Sequence, residues 1–310
     1  MKKQRILLTG SSGMVGLNLI DHPRFADFDW LLPKHRDLDL SIFENVYRYV
    51  SEHQPDLVLH AAGKVGGIQA NLKEPVSFLV ENFDIGRNIV LACRQAGVKR
   101  IINLGSSCMY PKDRQKPLSE DQLLSGTLEP TNEAYALAKI ATAKLCEYIS
   151  RENACFQYKT LIPCNLYGKY DKFDPKCSHL IPAIIHKIHL AKKNKDMNIE
   201  IWGDGNARRE FMYAGDFADA LINSIMRFDE LPPIMNIGLG YDFSINEYYL
   251  TTAEIMGYSG SFFHNLDRPV GMARKLVCTK KQSEWGWQAK SDLKAGISQT
   301  YQFYLREYVQ

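Results

Sequence analysis

At 310 residues, the chain is long enough for one large domain or two modest ones with a sizeable buried core. Its 38 basic and 35 acidic residues leave a formal charge of +3, so no strong field directs it to nucleic acid or to a membrane surface. No stretch approaches the ~18 apolar residues of a membrane span, and seven cysteines with no C-x-x-C pair argue against a disulfide framework and a zinc site, so no metal is expected.

Met1-Lys2-Lys3 precedes only a brief apolar run, unlike a signal peptide, and the chain reads as cytoplasmic. Arg5-Ile6-Leu7-Leu8 predicts a short buried strand, after which Thr9-Gly10-Ser11-Ser12-Gly13-Met14-Val15-Gly16 opens a helix ending near Pro23. Glycines at this spacing allow a tight turn, close backbone approach to a pyrophosphate and close helix–strand packing. The helix start offers unpaired N–H groups and a partial positive charge to the phosphates. Such glycines can also be turn residues; the flanking strand and helix favour a dinucleotide.

Asp29-Trp30-Leu31-Leu32 predicts the second strand. A free ribose 2′-hydroxyl is usually met at its end by Asp or Glu. Here Lys34, His35 and Arg36 stand there, which suits a 2′-phosphate and hence NADP(H), although the same residues could form a solvated basic turn and Asp37 and Asp39 follow closely.

Strands and helices then alternate: strand Leu57 to Gly63, a helix through Phe78 to Ala96, strand Arg100 to Leu104, helix Glu133 to Arg151, strand Tyr158 to Ile162. This alternation predicts an α/β fold, a Rossmann-type doubly wound parallel sheet with ligands at the carboxyl ends of its strands. Gly10, Ala61, Ser106 and Pro163 would share that edge. Residues 165–178 read as irregular, followed by helix Ile181 to Ala191, strand Ile199 to Trp202, helix Asp216 to Phe228, strand Ile234 to Ile237, a helix near Ile245 to Met256 and a last one from Ser291. The expected division is residues 1–164 plus about 214–238 as cofactor domain, with 165–213 and 239–310 as a smaller α/β substrate domain.

Tyr135 and Lys139, four apart on a helix, lie on one face. An ammonium beside a phenol favours the phenolate, so Tyr135 is expected to exchange a proton near neutral pH. Ser106, after a neighbouring strand, can hold a carbonyl oxygen against that phenol. Y-x-x-x-K alone is a weak signal; its weight comes from the glycine turn before it.

These residues resemble the extended short-chain dehydrogenase/reductase family. Within it, Ala61-Ala62-Gly63-Lys64-Val65-Gly66-Gly67, Gly105-Ser106-Ser107-Cys108-Met109-Tyr110-Pro111, Gly126-Thr127-Leu128-Glu129-Pro130-Thr131-Asn132-Glu133 and Ser178-His179-Leu180-Ile181-Pro182-Ala183 are similar to its GDP-L-fucose synthase branch, as is Arg208-Arg209-Glu210-Phe211. The resemblance implies NADPH-dependent epimerisation and reduction of a GDP-linked 4-keto-6-deoxyhexose. Cys108 and His179 would then serve as base and acid at the carbons flanking the ketone, thiols and imidazoles having reference pKa values of ~8.5 and ~6.5. Ser106, Tyr135 and Lys139 would serve reduction at C4.

By the same resemblance the cofactor would be held by Gly10, Ser11, Ser12, Gly13, Met14, Val15, Gly16, Arg36, Asp39, Leu40, Ala61, Ala62, Gly63, Gly105, Tyr135, Lys139, Pro163, Asn165, Leu166 and His179. The nucleotide sugar would meet Ser107, Cys108, Asn165, Lys187, Trp202 and Arg209. The chain departs from the pattern where Arg268-Pro269-Val270-Gly271 replaces Lys-Pro-Asp-Gly, where Met272-Ala273 replaces a more polar pair, where Cys278 replaces an Asp, and at Ser12, often Arg in bacterial relatives. These changes put the sugar in question more than the chemistry. A reductase or single-centre epimerase on a related GDP-4-keto sugar (colitose or 6-deoxyheptose type) and a non-catalytic NADP-binding protein remain alternatives. A homodimer through the helices Pro75–Ala96 and Glu133–Arg151 is expected from the family, though their apolar residues could equally face the sheet.

Overall fold

The computed structural model describes residues 3–112, 114, 116–174, 178–268 and 271–309. Met1, Lys2, Cys177, Pro269 and Val270, on which parts of the sequence reading fall, lie outside the described residues.

The chain forms, in order, β1 (Arg5–Thr9), α1 (Met14–Ile20), β2 (Asp29–Leu31), α2 (Phe43–His53), β3 (Leu57–His60), α3 (Ile68–Lys73), α4 (Pro75–Ala96), β4 (Arg100–Leu104), α5 (Glu133–Glu152) and β5 (Gln157–Pro163). It continues through β6 (Asn165–Tyr167), α6 (Leu180–Asn194), β7 (Asn198–Trp202), β8 (Arg208–Arg209), β9 (Phe211–Tyr213), α7 (Ala214–Met226) and β10 (Ile234–Ile237). The last elements are β11 (Phe243–Ser244), α8 (Ile245–Met256), β12 (Ser261–Asn265), β13 (Arg274–Lys275), α9 (Lys280–Trp285) and α10 (Leu293–Tyr308).

Six strands pair in the order β10-β5-β4-β3-β1-β2, all parallel. Side chains alternate between the two faces, as the strand period of two requires. Ile6, Leu8, Leu57, Leu59 and Ile102 pack with Leu19 of α1 and Phe217, Leu221 and Ile225 of α7. Leu7, Val58 and Ile101 pack with Val46 and Val50 of α2, Ile89 and Val90 of α4, and Cys146 and Ile149 of α5. Both faces are thus covered, which is why the strands read as continuous apolar runs.

Strand order reverses between β1 and β3, the place where ligands enter doubly wound sheets. Gly10 sits there with φ +75°, and a Cβ on it would come within 2.8 Å of the Ala61 backbone. A Cβ on Gly16 would meet the Ser11 Cα at 2.6 Å. Only glycine allows both approaches.

A second cluster gathers Tyr167, Ile181, Ile185, Ile199, Ile201, Phe211, Tyr248 and Phe303 from α6, α8, α10 and the strands between them. Val277, Trp285 and Trp287, by contrast, pack with the sheet. Several elements differ from the sequence expectation, and three of them shape the site. Asn165–Tyr167 is a strand paired with Phe211–Tyr213 where irregular chain was expected. α2 lies where no helix was expected, although Phe43, Val46, Tyr47 and Val50 recur at helical spacing. β13 joins β8, so that Lys275 lies beside Arg209. The Asp242 carboxylate accepts from both Arg208 (2.6 Å) and Arg274 (2.5 Å), tying the two strands together.

Candidate active site

The turn after β4 carries the first reactive groups. Ser106 is extended (φ −156°, ψ 145°), and its Oγ accepts from the Cys108 amide at 3.2 Å, capping a short 3₁₀ turn over Ser107–Met109. Ser107 and Met109 are buried, as is Tyr110, whose hydroxyl donates to Asn236 Oδ1 at 2.5 Å. Cys108 stands half-buried between these anchors.

α5 delivers Tyr135 and Lys139 to the same place. Lys139 is buried, and its Nζ donates to the Leu104 carbonyl at 3.0 Å. Burial brings its ammonium down to about 8. Burial drives the Tyr135 phenol well above its ordinary range, the charge of Cys108 adds to this, and a hydrogen bond with Ser106 partly opposes it. This corrects the phenolate expectation: burial raises the phenol, and the nearby amine is itself pushed toward neutrality by its own burial. The proton stays on the phenol, the form needed to protonate a ketone oxygen.

Two cationic or amide donors converge on the Cys108 sulfur. Asn132 Nδ2 donates to Sγ at 3.3 Å and Lys275 Nζ at 3.2 Å. The sequence reading singled out neither residue in this role. Asn132 lies in a stretch that carries the resemblance, whereas Lys275 is 167 residues from Cys108 and carries no local signal. His179 precedes α6 as its N-cap residue. Its imidazole is held below its ordinary range by burial first, then by the charges of Lys275 and Lys172. Lys275 therefore acts on both Cys108 and His179.

The glycine turn fits a dinucleotide. Gly13 caps α1, and Met14, Val15 and Gly16 form the first turn, whose amides have no partner within the helix. Ser11 is buried and Ser12 exposed beside it. Thr9 binds Ala61 and Ala62 at 3.2 and 3.3 Å, setting Ala61-Ala62-Gly63 beside the turn. Gly105 is held by the Leu161 carbonyl at 2.8 Å, and Pro163 ends β5 on the same edge. Beyond β2, the Arg36 side chain is 80% exposed and pairs with Asp37 at 3.5 Å. The Asp39 carboxylate accepts from the Ser41 amide (2.9 Å) and hydroxyl (2.7 Å), which hold it below its ordinary range. Leu40 offers its carbonyl to Asn88. Both carboxylates of this turn are thus engaged locally.

The remaining residues lie on the second cluster's side. Asn165 donates to the Glu210 carbonyl at 2.9 Å, with Leu166 next to it on β6. Lys187 Nζ contacts the Glu200 carbonyl (3.3 Å) and the Tyr249 hydroxyl (3.4 Å), 5.7 Å from the Trp202 ring centre, and burial lowers its ammonium. Arg268 covers the Trp202 ring at 5.1 Å. Burial also lowers the Arg209 guanidinium, whose Nη1 donates to the Arg208 carbonyl.

A doubly wound sheet, a glycine turn at its switch point and a Ser-Tyr-Lys set beyond the fourth strand define a nucleotide-dependent oxidoreductase or epimerase of Rossmann type. The chain belongs to the NAD dependent epimerase/dehydratase family, whose model matches residues 6–238. It is 52% identical to the GDP-L-colitose synthase of Yersinia pseudotuberculosis over 98% of both chains. It is 46% identical to the GDP-L-fucose synthase of Azorhizobium caulinodans, over 98% of this chain and 97% of that one. Among solved structures, a GDP-mannoheptose C4 reductase from Campylobacter jejuni with NADP bound superposes with a TM-score of 0.87 at 31% identity, covering 98% and 99% of the two chains.

Proposed function

We propose that the chain is an NADPH-dependent epimerase/reductase that converts GDP-4-keto-6-deoxy-D-mannose or a close GDP-4-keto relative to a GDP-L-sugar such as GDP-L-fucose. The observation that carries this reading is the meeting of a thiol and its two donors with the Ser106–Tyr135 pair. A simple ketone reductase has no use for that thiol. A ketone at C4 acidifies the protons at C3 and C5, and Cys108 and His179 are the groups suited to removing and returning them. The still protonated Tyr135 would give its proton to O4, Ser106 would hold that oxygen, and Lys139 would hold the nicotinamide ribose.

The cofactor, when bound, supplies the hydride that reaches C4. The α1 turn would hold its pyrophosphate, and Arg36 its 2′-phosphate. Support for NADP(H) comes from the solved NADP complex and from the local engagement of Asp37 and Asp39. Lys187, Trp202 and Arg209 would face the GDP moiety. Residues 1–164 with 214–238 would bind cofactor, and the second cluster would bind the sugar nucleotide.

Oxidation of NADPH with a GDP-4-keto-6-deoxyhexose in heavy water, with the product read by NMR, tests the proposal. Deuterium at C3 and C5 supports two inversions; deuterium at neither carbon refutes the epimerase half. The similarity to a GDP-L-colitose synthase favours one second reading, a 3-deoxy substrate. Such a sugar has no stereocentre at C3, so inversion would be confined to C5.

We further infer a cytoplasmic homodimer. On α4, Val76, Leu79, Val80 and Phe83 are 36–74% exposed at helical spacing, and Leu137 and Tyr148 are exposed on the adjoining α5. An apolar stripe shared by two neighbouring helices suits a second copy related by twofold symmetry.

A further inference from the structure

We propose that Lys275 is a positioning residue that holds Cys108 as a thiolate before substrate arrives. The proposal rests on the reading of Cys108 as a proton-transfer group and says what prepares it.

Lys275 is 9% exposed, and its Nζ lies 3.2 Å from the Cys108 sulfur. Among the described residues it forms no ion pair with a carboxylate. A buried ammonium is costly unless a negative group answers it. Glu210, also buried nearby, spends its carboxylate on the amides of Leu239, Gly240 and Val277. Glu129 acts on Arg209. Across the thiol, Tyr135 keeps its proton, and His179 is pushed toward the neutral form. Cys164 also feels the Lys275 charge, but burial pushes its thiol well up, so the remaining group in contact that can carry negative charge is the Cys108 thiol.

The geometry agrees with this. An ammonium has three donors and no acceptor, so the sulfur it meets must accept. Asn132 presents a second donor at 3.3 Å. The thiolate takes a proton from the carbon beside the ketone, the S–H bond forms as the C–H bond breaks, and the electron pair moves onto the carbonyl oxygen as an enolate.

The position of β13 is what makes this possible. Pairing of Lys275 with Arg209, and the Asp242 bridge between Arg208 and Arg274, fix the lysine's backbone. The next residues cross to the sheet, where Leu118 donates to the Leu276 carbonyl and Cys278 to the Leu118 carbonyl, both at 2.8 Å. Lys275 is thereby carried over the Ser106 turn.

The test is the pH dependence of iodoacetamide alkylation of the full chain without substrate, read peptide by peptide by mass spectrometry. Exposed Cys155 serves as the internal reference. Cys108 is expected to reach half its maximal rate at least one pH unit below Cys155. Lys275→Met should remove that difference and slow Cys108 alkylation at pH 7 by at least tenfold. Lys275→Arg should restore most of it, and NADPH binding by fluorescence should persist in both variants. A Cys108 midpoint equal to that of Cys155 in the native protein overturns the proposal without any variant. So does an unchanged midpoint in Lys275→Met; a raised KM for the sugar nucleotide alone would make Lys275 a substrate ligand instead. Because the alkylation needs no sugar, failure to turn over any GDP-4-keto sugar would count against the proposed function and leave this result standing.

Discussion

Lys139 Nζ lies 3.0 Å from the Leu104 carbonyl and 5.9 Å from the centre of the Tyr135 ring. One ammonium thereby joins the end of β4 to the phenol that faces Ser106. Burial raises the Tyr135 phenol and keeps its proton in place, so its role is that of an acid. Tyr135→Phe should lower kcat for NADPH oxidation by about 10²–10⁴-fold. NADPH affinity, followed by fluorescence, should change little; activity near the native level would remove Tyr135 from the mechanism.

His60 supplies a pH dependence of stability. Its Nδ1 meets Thr9 Oγ1 at 2.8 Å inside the sheet. Burial first, and then the charge of Lys139, bring the imidazole down to about 3. Between that value and the ordinary 6.5 the unfolded chain binds a proton that the folded chain refuses. Stability from this group is therefore complete above pH 6.5 and is lost as pH falls, by at most ~1.4 kcal/mol per pH unit. Urea unfolding from pH 7 to 4 should show a shallower decline for His60→Gln than for the native chain. Equal slopes would contradict this account.

Arg36 bears on cofactor choice. Its side chain is 80% exposed, so its removal should leave folding intact. Arg36→Ala should raise KM for NADPH by about tenfold or more, the loss of a charge-assisted contact, while KM for NADH stays level. A parallel rise for both would show that Arg36 does not read the 2′-phosphate.

Lys187 and Trp202 form a cation–aromatic pair on the side proposed for the sugar nucleotide. Lys187→Ala should raise KM for the GDP-sugar by about tenfold with kcat within a few-fold, because binding and transition state would lose the same contact. A fall in kcat with KM unchanged would argue that Lys187 acts at the reacting carbons.

The exposed stripe on α4 predicts an association that sedimentation can measure. Val76→Glu combined with Phe83→Glu should convert a dimer to a monomer without loss of secondary structure. Unchanged sedimentation would assign the dimer contact elsewhere or exclude it.

Much of this protein follows from short-range pattern. The glycine turn, the alternating strands and helices, and the Tyr135–Lys139 spacing depend on residues close in the chain, where backbone sterics and helical periodicity act. From them the parallel sheet and the shared edge of Gly10, Ala61, Ser106 and Pro163 could be read directly. The two-residue strands β8, β11 and β13 are too short to carry any period, so only their pairing defines them. The contacts of Cys108 with Lys275 and Asn132, and the direction in which Tyr135 and His60 titrate, were likewise decided by the tertiary structure. They depend on which groups are brought together across the chain and on how much water is excluded around them, and neither quantity exists until the chain has packed.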